Sequence, residues 1–388
     1  MNEKPPPRRL PLVPQANRWL VASAFAGFVV VICVVVISLF SGGSGQRRPL
    51  VGIVSNSNGP VVIGSPTLAS QPARVGASAP SRAGATPAGP VRAGGELLGC
   101  VSSPHLCGYP DATNTGASGQ LEQVPGRVTS GPGWTWQTDH INVNRAGITL
   151  SGLDINGYIE IYGSNVTIRD VRITESGDIW GIGLRHANNV TIEDTEISSP
   201  AANGSSRLEV GIKDVYGDVT GTKVLRTDIW HTSTGIQISN GVIEDSYIHD
   251  FGYNSGDHLN GISVGGGDPL PLLVKHNTVL NDHDQSDAIA LFQDFGTEEN
   301  KTITGNLVAG GSYSIYGGAP GSGCTKYTNS AGCYGPSSDI VITGNRFSRL
   351  YFPNGGTFGW LSGWLGTGQG NVFSGNLWDN TGKQAVAQ

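Results

Sequence analysis

The sequence predicts an all-β protein: a right-handed parallel β-helix, a solenoid of about nine coils, preceded by a transmembrane helix and a disordered stalk. Three observations lead there. Fifty-eight glycines, a single methionine and a charged fraction of 14% among 388 residues disfavour helical bundles and favour many short strands joined by turns. A seven-residue pattern recurs nine times from Thr149 onward. A second register of strands centred on isoleucine follows it, at Ile182, Ile212, Ile236, Ile262, Ile289 and Ile315.

In chain order, residues 1–18 form a basic tail carrying Lys4, Arg8, Arg9 and Arg18. Residues 19–40 are uncharged and mostly apolar, about 33 Å long as a helix at ~1.5 Å per residue, enough to cross a bilayer core. The basic flank predicts a cytoplasmic N-terminus and a single-pass cell-membrane protein whose C-terminal domain is extracellular. A cleaved signal peptide is the rival reading. Against it, the apolar stretch is long for an h-region, and the following SLFSGGSGQRR lacks an A-x-A-like site. An uncleaved anchor is therefore expected.

Residues 41–96 are rich in Gly, Ser, Ala and Pro and cannot bury enough apolar surface to fold alone, so they read as a linker. Residues 97–148 hold Cys100, Cys107, the string GYPDATNTG and the pair Trp134 and Trp136, match no repeat, and are expected to cap the N-terminal end of the repeat array. Cys33 lies in the apolar run, whereas Cys100 with Cys107 and Cys324 with Cys333 form two close pairs suited to disulfides in an oxidising compartment. Zinc is the competing use, and neither pair has CxxC spacing. The net charge of −6 comes without a long acidic or basic run, so no nucleic acid is expected as a partner.

Residues 149–388 make up the β-helix domain. Its repeats are TLSGLDI from Thr149, TIRDVRI from Thr167, TIEDTEI from Thr191, KVLRTDI from Lys223, VIEDSYI from Val242, LVKHNTV from Leu273, TITGNLV from Thr302, VITGNRF from Val341 and VFSGNLW from Val372. The second and seventh positions are apolar in every copy. Five residues apart, they would face opposite sides of one straight strand, so both are buried only if both faces are covered or the chain bends between them. The fifth position is Asn in the last four copies, Asn277, Asn306, Asn345 and Asn376, usually after Gly, residues that tolerate the left-handed conformation of a sharp corner. Repeat spacings of 18 to 39 residues are too irregular for propeller blades and suit a solenoid with variable loops. The asparagines are expected to stack as a structural ladder.

With the second-register isoleucines inward, the preceding Gly181, Gly211, Gly235, Gly261, Ala288 and Ser314 should point out and form a shallow floor, which either a chain-like ligand or the protein's own loops would cover. Further along the same face come Lys213, Gln237, Ser263 and Tyr316. At this floor's entry, His231, Asp257 and Asp284 each stand five residues before the central Ile of successive coils. Coils stack ~4.8 Å apart, so Asp257 and Asp284 are expected near each other, as a glycosidase carboxylate pair or as ligands of a Ca²⁺ ion. His258, Asn260 and Asp287 occupy the same corners, and Asp282 and His283 the loop above. In a lyase, a cation would neutralise a uronate while Lys213, His231 or His258 removed the C5 proton. Corner acids and amides also serve simply to bond exposed backbone N–H groups. Arg185 and His186 are expected on solvated surface, and Tyr313, Tyr316, Trp360 and Trp364 either stack on sugars or close the end of the core.

With NVTI-type strand openings, GN corners and the D-H-x-x-G-I strand entry, the chain from about Gly108 to its end resembles the pectin-lyase-like right-handed parallel β-helix proteins of bacteria. The resemblance implies secreted or surface-anchored action on polysaccharide, among pectate, alginate and chondroitin lyases, polygalacturonases, uronan epimerases and tailspike hydrolases. Asn260 and Ser263 depart from the D-H-x-D-G-I-Q form of related sequences, and the polygalacturonase NTD, DD, GHG and RIK motifs have no counterpart. The function expected is thus a uronan lyase or glycoside hydrolase acting on polysaccharide or cell-envelope glycan. The alternatives are a non-catalytic polysaccharide-binding or structural envelope module, and an adhesion protein that binds another cell's surface protein.

Overall fold

The computed structural model describes residues 99–387 other than 322 and 325, with two short strand pieces at Arg92–Ala93 and Glu96–Leu97 that pair antiparallel. The predicted tail at 1–18, the span at 19–40, Cys33 and the rest of the linker at 41–96 lie outside the described residues. Among the described residues, no helix is long and apolar enough to cross a membrane.

The nine repeats are nine stacked coils, numbered 1 (from Thr149) to 9 (from Val372). They are all-β and built from long parallel ladders, a β-helix-like solenoid. Each repeat supplies two strands. In coils 1 and 2 these run together as Thr149–Asn156 and Thr167–Thr174, and from coil 3 they separate, as in Thr191–Glu193 and Glu196–Ser198. Second positions pair with second positions, Ile192 with Val224 for example, and seventh with seventh, Ile197 with Ile229. Ile192, Val224, Ile197 and Ile229 are all fully buried in one continuous core. The isoleucine register forms the third ladder, where Ile159, Ile182, Ile212, Ile236, Ile262, Ile289, Ile315 and Leu361 lie side by side.

The bend that buries both repeat positions is made by the fourth residue, which is left-handed in all nine coils: Gly152, Asp170, Asp194, Arg226, Asp245, His276, Gly305, Gly344 and Gly375. The asparagines therefore do not supply the left-handed residue. They follow it, and their side chains form the ladder. Asn306 Oδ1 accepts from both the backbone N and Nδ2 of Asn277, while Asn306 Nδ2 donates to Val274 O and to Asn345 Oδ1. Lower rungs substitute hydroxyls: Thr227 N donates to Ser246 Oγ, and Ser246 N to Asn277 Oδ1. Asn306→Ala should strip a partner from the buried Asn277 N–H and from two carbonyl oxygens, lowering stability by about 2–4 kcal/mol. A denaturant midpoint indistinguishable from wild type would show that the ladder is dispensable.

The small-residue stripe faces the other way from the expected floor. A Cβ on Gly181 would stand 2.6 Å from Ile197 Cγ2, one on Gly235 2.7 Å from Ile248 Cγ2, and one on Gly261 2.3 Å from Val279 Cγ1. Ala288 and Ser314 are fully buried. Two consecutive residues, such as Gly261 and Ile262, thus turn inward, and only a residue with little or no side chain fits the crowded first position. The outer face carries instead the paired row Trp180, Val210, Thr234, Asn260, Asp287, Tyr313 and, three residues further on, Gly183, Lys213, Gln237, Ser263, Ala290 and Tyr316.

The segment before the coils divides in two. Strands Ser130–Gly131, Trp134–Trp136 and His140–Val143 extend the third ladder below coil 1, with Trp134 closing the core there. Residues 99–118 instead run lengthwise down the solenoid. Val101 N donates to Asp379 Oδ2 beside coil 9, Tyr109 stacks on His276 of coil 6 at 5.3 Å, Gly116 N donates to Arg226 O of coil 4, and Ser118 Oγ reaches Asp170 of coil 2. Glu122–Val124 then pairs with coil 1. Residues 99–118 thus form a strap along the coils, and the strands from Ser130 to Val143 cover the end of the stack. Cys100 is bonded to Cys107 and Cys324 to Cys333, so none of the four thiols is available to zinc.

Candidate functional site

The corner chosen from sequence as the acid site holds a guanidinium. Arg207, 2% exposed, sits just before the third-ladder strand of coil 3 and donates from Nε to Asp257 Oδ2 and from Nη2 to Asp257 Oδ1, both at 2.7 Å, and from Nη1 to Asp178 Oδ1. Ser233 Oγ and Asn254 N also donate to Asp257 Oδ2. Burial alone would raise the Asp257 pKa, but these bonds outweigh it and hold the carboxyl below its ordinary value. Asp257 is therefore not the free partner of Asp284 that the aligned corners predict. It is one end of a clamp running from Asp178 in coil 2 to the loop of coil 5. Its oxygens are also ill suited to Ca²⁺, because a cation would have to displace a bidentate guanidinium. Among the described residues, no group of three or more His, Cys, Asp or Glu is arranged to hold a metal ion.

His231, left-handed at the corner before the coil 4 strand, pairs its Nδ1 with Ser199 O at 2.9 Å. Lys213 lies over the Trp180 ring, 5.6 Å from its centroid. Gln237 sits between Lys213 and Ser263 on the outer row. Arg185 is not simply solvated. It chelates Glu160, donates to Tyr216 Oη at 2.7 Å and stacks among Tyr162, Trp180 and Tyr216, while His186 stacks on Tyr216 at 4.4 Å. That column is already filled by protein groups. Trp360 and Trp364 pack on the last coils, against Phe347, Phe373 and Trp378, and serve the core.

What the structure does assemble lies one coil higher. Asn260, Asp287 and Tyr313 are consecutive rungs of the outer row, with Ser263 and Tyr316 alongside. Asp287 is 4% exposed and Asn260 5%, and each has a side-chain oxygen, Oδ1, with no hydrogen-bond partner. Burial pushes the Asp287 carboxyl up to about 7, opposed only by the Tyr313 backbone N–H. Burial and the nearby Asp287 in turn raise the Tyr316 hydroxyl. Asp284, three residues earlier on the same turn, has an exposed side chain, and its backbone oxygen accepts from Ser312 Oγ and Thr357 Oγ1. His258 is exposed beside Ser286, Nδ1 to Oγ 3.4 Å, and its charge partly offsets the burial that raises Asp294.

The outer row here thus carries a protonatable buried carboxyl, an amide and two tyrosines, and the turns that lead into its strands carry an exposed carboxylate, Asp284, and an exposed imidazole, His258. Sequence reasoning named these residues singly but could not pair them correctly. Phe358 was missed, since it lies in a loop outside every repeat. Compared with protein-family models, with curated proteins and with solved structures, the chain matches none.

Proposed function

We propose that this domain is a glycoside hydrolase that cleaves a polysaccharide laid across the outer face of the third ladder, with Asp287 as the general acid and Asp284 as the water-activating or nucleophilic carboxylate. The observation that supports it is the division of one turn into two carboxyl environments, one buried with its pKa raised to about 7 and one open to water. An acid that keeps its proton near neutrality can protonate a leaving glycosidic oxygen, while the exposed partner serves the opposite role. Hydrolysis is favoured over β-elimination by the placement of the cations. Arg207 is committed to Asp257, and Lys213 lies in coil 3, three rungs of ~4.8 Å below Asp287, too far to neutralise a uronate held there. A right-handed coil direction, kinship with pectin-lyase-like proteins and anchorage at the cell surface belong to the same reading.

Incubation with neutral glycans and uronans should release new reducing ends from a neutral member, and Asp284→Asn should suppress that release. Unsaturated products would support the lyase reading instead. Glycan binding without turnover would support the non-catalytic module, which the burial of Asp287 Oδ1 favours.

A further inference from the structure

Phe358 is the most solvent-exposed large apolar side chain of the third-ladder face, with 70% of its surface open to water. It is not a loose loop residue. Its backbone N donates to Ser312 O, and the preceding Thr357 donates from its N to Gly311 O and from Oγ1 to Asp284 O. The loop is thereby fastened to the turn that carries Asp284 and Asp287. The Phe358 ring lies 6.0 Å from that of Tyr313, whose ring in turn stands over Gly359, the residue it pairs with in coil 8. Holding a bare phenyl ring in water on a pinned backbone forgoes its burial, and the other late aromatics, Trp360 and Trp364, are already spent on the core.

We infer that Phe358, flanked by Tyr313, is the stacking platform for a sugar ring of the bound glycan, two coils beyond the two carboxyls. This rests on the hydrolase reading and deepens it. A phenyl ring offers no hydrogen bond and no charge, so it recognises the apolar C–H face of a pyranose and releases water from both surfaces. The subsite therefore selects uncharged hexoses that expose such a face. Phe358 acts in binding and specificity and is not a catalytic group.

The test uses the full chain with neutral hexo-oligosaccharides and, for comparison, oligogalacturonate. Affinity is measured in the Asp287→Asn background, where substrate is not consumed, and KM and kcat in the otherwise wild-type protein. Phe358→Ala should weaken neutral oligosaccharide binding about tenfold, and raise KM by more than it lowers kcat, whereas Phe358→Trp should retain affinity. The side chain is exposed and carries little of the fold, and an unchanged melting curve confirms that the loss is one of contact. If wild type cleaves a neutral glycan and Phe358→Ala binds it equally well, the platform is refuted while the hydrolase stands. If wild type neither binds nor cleaves any neutral oligosaccharide, both fall.

Discussion

Asp287→Asn is expected to lower turnover by about 10²–10⁴-fold while leaving glycan binding intact, because the amide keeps the shape and the backbone contact but has no proton to give to the leaving oxygen. The wild-type rate should fall on the alkaline side of about pH 7, where the acid form is lost. Stability should respond in the opposite sense to the mutation. An acid whose folded pKa lies above its ordinary value of 3.8 contributes stability at low pH, and that contribution is lost as pH rises through about 7. The Asn variant has no such charge to bury, so thermal melts at pH 8 should find it at least as stable as wild type. An Asp287→Asn protein with normal turnover would remove Asp287 from the mechanism.

Arg207→Ala should be the most damaging substitution for folding. It deletes the partner of a carboxylate that is itself 12% exposed in its side chain, and breaking a buried ion pair from one end costs about 3–5 kcal/mol. For a domain of this size that is on the order of a 10 °C fall in melting temperature. The Asp178 arm, 75% exposed, contributes little of it. Because Asp257 has a depressed pKa, its contribution is present above the ordinary carboxylate range and is lost as pH falls through the folded value. The penalty of Arg207→Ala should therefore shrink in acid. A double variant replacing Arg207 and Asp257 by apolar residues of matched volume should recover much of the loss. Equal melting of wild type and Arg207→Ala at neutral pH would show the clamp to be ornamental.

Much of the fold was legible because its signals are local and repeated. Apolar second and seventh positions, Gly-Asn corners and a trailing isoleucine each recur within a few residues, and each maps onto one ladder. The stripe of glycines was read on the wrong face because strand alternation was assumed throughout, whereas the chain breaks it once per coil to turn Gly261 and Ile262 inward together. The clamp was invisible for a different reason. Asp257 sat in the most conspicuous polar string of the chain, while Arg207, which neutralises it, lies 50 residues away in an unremarkable stretch. Asp287 could be named but not distinguished from its neighbours, since only burial separates a carboxyl that keeps its proton from one that gives it up.

The strap changes how such a molecule is put together. A stack of coils touching only their neighbours could fold from either end and fray from either end. Here the bond between Val101 and Asp379 spans 278 residues of sequence, so the first-made part of the domain waits for its seat until the last coil exists. Closing that loop comes late and is entropically demanding. Once closed, it links the opening of the terminal coil to the release of residues alongside coils 6, 4 and 2, turning an open-ended array into a cooperative unit. Chains truncated before coil 9 should accordingly expose the strap to proteases along its whole length.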